Sequence, residues 1–228
     1  MTIDTIEAFK LLKHYGIRVA RSKVVDSPED AIAFAERRTA KDPRFMPIVL
    51  RRIISGAPDN ARAAVAASAL HTEDAIRQAY ANFAGAGTNG KPLAQAVTDP
   101  GTDIAIVGRT EEARGKIIAL RSATHSVECM VPLGSAGAEV LALNLQGFHH
   151  HGSSEKAHRM LEHLLIRISA FFEKTPVTEF RLAVRLHENS YTVVDAAMTS
   201  PKALHVKERL DRHAQDKRGE GYHPSGHQ

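Results

Sequence analysis

Apolar and polar positions follow two rhythms along this chain, and the switches between them mark out its elements. Ile3, Ile6, Leu11, Leu12 and Tyr15 recur at helical spacing with Asp4, Lys10 and Lys13 on another side, which predicts a helix over 3–15 ended by Gly16. The stretch "IRVARSKVV" then keeps the two-residue period of a strand. A second helix opens in "DSPEDAIAFAERRTA", with Ser27 as N-cap, Pro28 in the first turn and Asp30 where a capping-box acid would stand. After the polar turn "KDPRF", the run "MPIVLRRII" is a strong strand signal. A loop with Gly56, Pro58 and Asp59 leads into the alanine-rich "ARAAVAASAL", a candidate strand. Thr72 caps a further helix, "TEDAIRQAYANFA", whose apolar stripe is Ala75, Ile76, Ala79, Tyr80 and Phe83.

Residues 85–102, "GAGTNGKPLAQAVTDPGT", are rich in Gly, Pro, Thr and Asn and read as a linker or mobile loop. The strand rhythm resumes in "DIAIVGRT", "KIIALRSA" and "VECMVPLG". A small-residue turn, "GSAG", then runs into an apolar stretch. "SEKAHRMLEHLLIRISAFFEKT" spans about six helical turns, and Pro176 follows it. "VTEFRLAVRLHENSYTVVDAAM" alternates on both sides of the polar "HENS", which predicts a hairpin. The pattern gives an α/β (α+β) chain of two lobes: 1–85, a linker at 86–102, and 103–200. From Pro201 to Gln228 few residues are apolar, so 201–228 is expected to be a polar, disordered tail.

Composition narrows the function classes. At 228 residues, 43% of them apolar and 25% charged, the chain is long enough for a sizeable core and reads as soluble and globular. No run reaches the roughly 18 apolar residues of a membrane span. The N-terminus lacks the features of a secretory leader, and the expectation is a cytoplasmic protein. Cys129 is the single cysteine, which excludes an intrachain disulfide; its apolar setting reads as a small packed thiol. Thirty Lys plus Arg against 26 Asp plus Glu, with 5% aromatics, is not the one-sided basic surface or stacking platform of a nucleic-acid binder.

Four segments, in order, resemble the ATP-grasp domain of the NDP-forming acyl-CoA synthetases, the superfamily of acetate–CoA ligase and the succinyl-CoA synthetase beta subunit. "LLKHYGIRVARSKVVDSPEDAIAFAE" is similar to that family's opening. "PIVLRRIIS" resembles its "PVVLK" strand, and "VECMVPLGSAGAEV" its strand and "GxGGxxE" turn. "LLIRISAFFEKTPVTEFRLAVRLHENSYTVVDAAM" is similar to its last helix and its "ELDINPL" hairpin. The resemblance covers about residues 5–198. It implies an ATP-grasp-like fold, two lobes around a cleft, with ATP or ADP as ligand.

Departures from the family pattern bear on the chemistry. Arg51 stands at the strand lysine that contacts the nucleotide phosphates, keeping the charge in a larger, forked group. The following segment lacks the family's His and Lys, and Arg62 is the nearby cation. Gly108 and Arg109 fall where the hinge has Gln and Glu, and Lys116 falls on a later family acid. The glycine turn keeps Gly134, Gly137 and Glu139. Of the hairpin's Asp and Asn, which hold magnesium in the family, Arg181 and Ala183 take the places. A cation and a methyl group offer no hard oxygen, so Mg²⁺ is not expected. The candidate nucleotide or phosphate site is thus Arg51, Arg62, Arg109, Gly134, Gly137 and Glu139, with Arg52, Arg114, Arg121, Arg181 and Arg185 near the cleft.

Other chemistry is weaker. His149, His150, His151, His158 and His163 suggest a metal, but the first three are consecutive and the last two are five apart, so they do not share a face. Ser135 in "GSAG" lacks the Gly-x-Ser-x-Gly of a nucleophile elbow. The expected function is an acyl-CoA synthetase-like beta-type subunit, catalytically degenerate, that binds a nucleotide or a partner protein without turnover. The alternatives are an active ADP-forming acid–thiol ligase subunit needing a separate CoA-binding, alpha-type subunit, and a homo-oligomeric scaffold with an empty cleft.

Overall fold

The helix expected over 3–15 forms as Thr5–His14, because Asp4 caps it and Thr2–Ile3 pair as a strand. In the computed structural model, which describes residues 1–39, 48–52, 65–85, 92–97, 101–121, 126–146, 155–187 and 190–201, strand β1 (Thr2–Ile3) precedes helix α1 (Thr5–His14). The Asp4 carboxylate accepts from the Glu7 N–H at 2.8 Å and caps α1. At its far end Gly16 has φ +70°, and the Gly16 and Ile17 N–H groups donate to the Lys13 and Leu12 carbonyls at 2.9 and 3.0 Å. This is a Schellman closure, and it buries Ile17 in the same apolar cluster as Leu12.

The first lobe is a sheet covered by two helices. It contains β2 (Ser22–Val24), α2 (Pro28–Thr39), β3 (Ile48–Arg52), β4 (Val65–Leu70), α3 (Glu73–Gly85) and β5 (Pro92–Ala96). The strands pair antiparallel in the order β2-β5-β3-β4. Ser27 caps α2 through the Asp30 N–H at 3.1 Å, and Thr72 caps α3 through the Ala75 N–H at 3.2 Å. The Asp30 carboxylate does not complete a capping box; it accepts from Lys23 Nζ at 2.9 Å. Ile48, Leu50 and Ala94 point from the sheet onto Ala31, Ile32, Phe34, Ala35, Ile76 and Ala79, forming the smaller core.

Six strands make the second sheet. After β6 (Thr102–Glu111), β7 (Gly115–Arg121) and β8 (Ser126–Met130) come helices α4 (Ser135–Gln146) and α5 (Glu155–Lys174), then the hairpin β9 (Glu179–Leu186) and β10 (Tyr191–Thr199). The order is β1-β10-β9-β6-β7-β8, antiparallel throughout. One face is apolar and lies under α1, α4 and α5. Leu161, Leu164, Leu165, Ile168, Phe171 and Phe172 form the stripe of α5 that covers it. Full burial of each such side chain stabilises the fold by about 1.5–3 kcal/mol.

The lobes are not contiguous along the chain, and their boundaries differ from those expected. Residues 2–3 pair with β10, and α1 packs on β10, so the N-terminus belongs to the second sheet. Within the segment 86–102, expected as a linker, β5 runs between β2 and β3 at the centre of the first sheet. Its Leu93, Ala94, Gln95 and Ala96 are buried. Flanking Gly, Pro and Asn mask this strand in the sequence, and with Leu93 as its one large apolar residue it carries little apolar rhythm of its own. The expected strand "IRVARSKVV" is divided, with Val19 bridging to Val193 and β2 starting at Ser22. In "GSAGAEVLALN" the expected turn is already helix from Ser135, the first residue of α4. The tail after residue 201 lies outside the described residues.

Candidate functional site

The two sheets meet where β10 bulges. The β9–β10 register jumps between Val193 and Asp195, leaving Val194 as the extra residue, and its carbonyl is turned out of the ladder. That oxygen accepts from Gln95 Nε2 at 2.8 Å and from Arg51 Nη1 at 2.6 Å. Arg51 Nη2 donates to Asp195 Oδ2 at 2.8 Å, and Nη1 donates also to Gln95 Oε1 at 3.1 Å. The Arg51 side chain is 12% exposed and that of Asp195 20%. Beside this junction the chain segment before β2 adds Val193 N–H to Arg18 O at 3.0 Å and Ala20 N–H to Val193 O at 2.8 Å.

Strand alternation explains why Arg51 reaches so far. Ile48 and Leu50 face α2 and α3, so Val49 and Arg51 face away from the helices and toward the second sheet. The side chain expected to hold a phosphate therefore reaches the second sheet, and its guanidinium is engaged by a carboxylate, a carbonyl and an amide of the protein. Arg51 Nε is buried and has no hydrogen-bond partner among the described residues. Sequence reading missed Asp195 and Gln95. Asp195 in "VVDAA" was legible only as the polar residue breaking an apolar strand.

Register also assembles the open face of the second sheet. Asp195 pairs with Ala183, Ala183 with Ala105, and Ala105 with Arg121. In the next row Ala197, Arg181, Val107, Ala119 and Glu128 lie side by side, and in the one after it Glu179, Arg109, Ile117 and Met130. Arg109, Arg121, Arg181 and Arg185 thus share the face that carries Asp195, opposite the helices. Most of the charges there are paired. Arg185 Nε and Nη2 grip Asp103 at 2.7 and 2.9 Å, which raises the Arg185 pKa.

Arg109 bonds Glu128 at 2.7 Å and Glu111 at 2.6 Å. Arg114, in the turn after β6, joins through Glu111 at 2.7 Å. Glu128 and then Glu111 push the Arg109 pKa above its ordinary value, and Arg114 and then Arg109 hold the Glu111 carboxyl below its own. In contrast, Arg121 and Arg181 are exposed and have no ion-pair partner among the described residues.

The remaining expected site residues lie elsewhere. Gly134 immediately precedes α4, and its carbonyl accepts from the Ala138 N–H at 3.0 Å. Gly137 and the exposed Glu139 sit in the first turns of α4, which packs on α5 and β8 in the helix layer. Arg62, His149, His150 and His151 lie outside the described residues, as do the side chains of Arg52 and His158. His163 is exposed on α5.

Two family positions have other structural uses here. A Cβ on Gly108 would stand 2.0 Å from the ring of Phe180, so the glycine admits that ring. Phe180 in turn meets Phe172 edge-on at 5.0 Å between centroids. Lys116 Nζ donates to the Phe172 carbonyl and, at 2.8 Å, to that of Thr175, closing the C-terminal end of α5 as a cation should. Burial lowers the Lys116 pKa and raises that of the Cys129 thiol.

Arg181 and Ala183 project from β9 onto the open face, and the carboxylates beside them, Asp195 and Asp103, are bound by Arg51 and Arg185. Among the described residues no three His, Cys, Asp or Glu side chains gather to hold a metal ion. Likewise, no helix among them is long and apolar enough to cross a membrane.

No family model and no curated protein matches the sequence. Solved structures do. The dinucleotide-forming acetyl-coenzyme A synthetase 1 of Ca. Korarchaeum cryptofilum, in complex with coenzyme A, Ca-AMPCP and HgCl+, superposes with a TM-score of 0.71. The identity is 20%, over 87% of this chain and 93% of that one. A structure from Pyrococcus horikoshii gives 0.72 at 16% identity, over 88% and 92%. ATP citrate lyase from Methanothrix soehngenii, in complex with citrate and coenzyme A, gives 0.57 at 12% identity, over 98% of this chain and 55% of that one. With its two antiparallel sheets, each covered on one face by helices, this chain has the ATP-grasp fold of these proteins, as the sequence resemblance implied.

Proposed function

We propose that the protein is an ATP-grasp subunit related to the NDP-forming acyl-CoA synthetases that binds a nucleotide, ATP or ADP, without turning it over. One observation carries this reading: the cleft cations and carboxylates are paired with each other, as Arg51–Asp195 and Arg185–Asp103. Phosphoryl transfer depends on a metal and on free cations aimed at the transferred group. Here the residues that would hold the metal are a cation and a methyl group. Arg51 remains the proposed phosphate contact, with Arg109 and Arg62 as secondary cations; Gly134, Gly137 and Glu139, in the helix layer on the other face of the second sheet, are not part of this proposed site.

A second reading has its own support. The chain matches nearly the full length of a synthetase chain whose complexes contain coenzyme A and nucleotide analogues. On that reading it is an active ADP-forming ligase subunit that works with a separate CoA-binding subunit. Assay of ADP release from ATP, Mg²⁺, coenzyme A and short-chain acids, with and without an alpha-type partner, separates the two. Nucleotide binding with no acid-dependent ADP release supports the first reading, and acyl-CoA formation overturns it.

A further inference from the structure

We infer that Arg181 takes the place of a divalent cation in this cleft, so that the nucleotide is held as its metal-free polyphosphate anion. The inference rests on the nucleotide-binding reading above and extends it to the charge state of the ligand. Arg181 lies on β9 on the same sheet face as Asp195, in the adjacent row, since Asp195 pairs with Ala183 and Arg181 with Ala197. Diagonal neighbours of this kind are about 7–8 Å apart, within the span of an arginine side chain. Arg51 reaches Asp195 from the other lobe. An anion seated beside Asp195 therefore meets Arg51 from one sheet and Arg181 from the other.

Arg181 makes no ion pair among the described residues, with Glu179 two positions along β9 on the same face as its nearest carboxylate on that strand. Its direct strand partners are Val107 and Ala197, both neutral. Arg51, Arg109 and Arg185 each hold a carboxylate, whereas Arg181 is exposed and pairs with none among the described residues. A guanidinium donates two parallel hydrogen bonds to phosphate oxygens and neutralises one charge. Magnesium competes for those same oxygens, so where Arg181 grips the phosphates the ion is opposed, and the metal complex is expected to be the weaker ligand.

Calorimetric titration of ADP into the full chain tests this, in buffer with a chelator and again with excess Mg²⁺. The wild type is expected to bind ADP in chelator and to bind it more weakly with Mg²⁺. Arg181→Gln should weaken metal-free binding about tenfold, as loss of a charged hydrogen-bond pair does, and Arg181→Lys should keep part of it. Arg181→Asp should lose metal-free binding and recover it when Mg²⁺ is added. Wild-type binding that requires Mg²⁺, or metal-free binding unchanged in Arg181→Gln, overturns the inference while leaving nucleotide binding intact. A wild type that binds ADP in neither buffer overturns the nucleotide-binding reading itself. The thermal midpoint of each variant, expected near that of the wild type because Arg181 is exposed, shows that the protein titrated is folded.

Discussion

Arg51 on β3 and Asp195 on β10 are 144 residues apart in the chain, yet their charged atoms are 2.8 Å apart across the two sheets. The contact joins the lobes through a partly buried ion pair whose guanidinium also bonds the bulge carbonyl of Val194. Removing one member leaves the other without its partner in a poorly hydrated place. Arg51→Ala or Asp195→Ala should each cost about 2–3 kcal/mol. Urea unfolding of both single variants and the double variant measures the coupling. Additive losses, within about 0.5 kcal/mol, would mean that the pair does not tie the lobes.

Asp195 also competes with any phosphate for Arg51. Neutralising it by Asp195→Asn keeps the shape and removes the competing charge, so ADP should bind about fivefold more tightly. Calorimetry reads this directly. Weaker binding would show that Asp195 supports the ligand instead.

Gly108 exists for Phe180. Gly108→Ala places a methyl group inside the ring of Phe180, and overpacking of this kind costs about 1–3 kcal/mol. The same change made in Phe180→Leu should cost much less, because the obstructing ring is gone. Equal losses in thermal midpoint in the two backgrounds would disprove the steric account.

The Arg109–Glu111–Arg114–Glu128 cluster predicts part of the acid limb of stability. Arg114 and Arg109 hold the Glu111 carboxyl below its ordinary value. The unfolded chain then binds more protons than the folded one as the pH falls. The contribution of Glu111 is complete above about pH 4.3, the ordinary glutamate value, and is lost as pH drops through the lower folded value. Glu111→Gln should flatten the fall of the thermal midpoint in that acid range, and added salt should do the same to the wild type because the cluster is partly exposed. Parallel curves for variant and wild type would exclude the effect.

Local physics made much of this fold readable from the chain alone. The caps at Ser27 and Thr72, the glycine stop at Gly16, the stripe of α5 and the alternation of β9 and β10 depend on neighbours within a few residues, and the structure keeps them. The ordered set of segments was enough to imply the ATP-grasp architecture. β5 was hidden because Pro92–Ala96 is strand by pairing on both sides, not by its own apolar rhythm. What only the tertiary structure decided is the state of the cleft charges. Arg51, Arg109, Arg181 and Arg185 look alike in sequence, as cations on strands. Which of them is paired depends on carboxylates brought alongside by strand register and by a single bulge in β10. Electrostatic attraction acts over a few ångströms of space and is indifferent to separation along the chain.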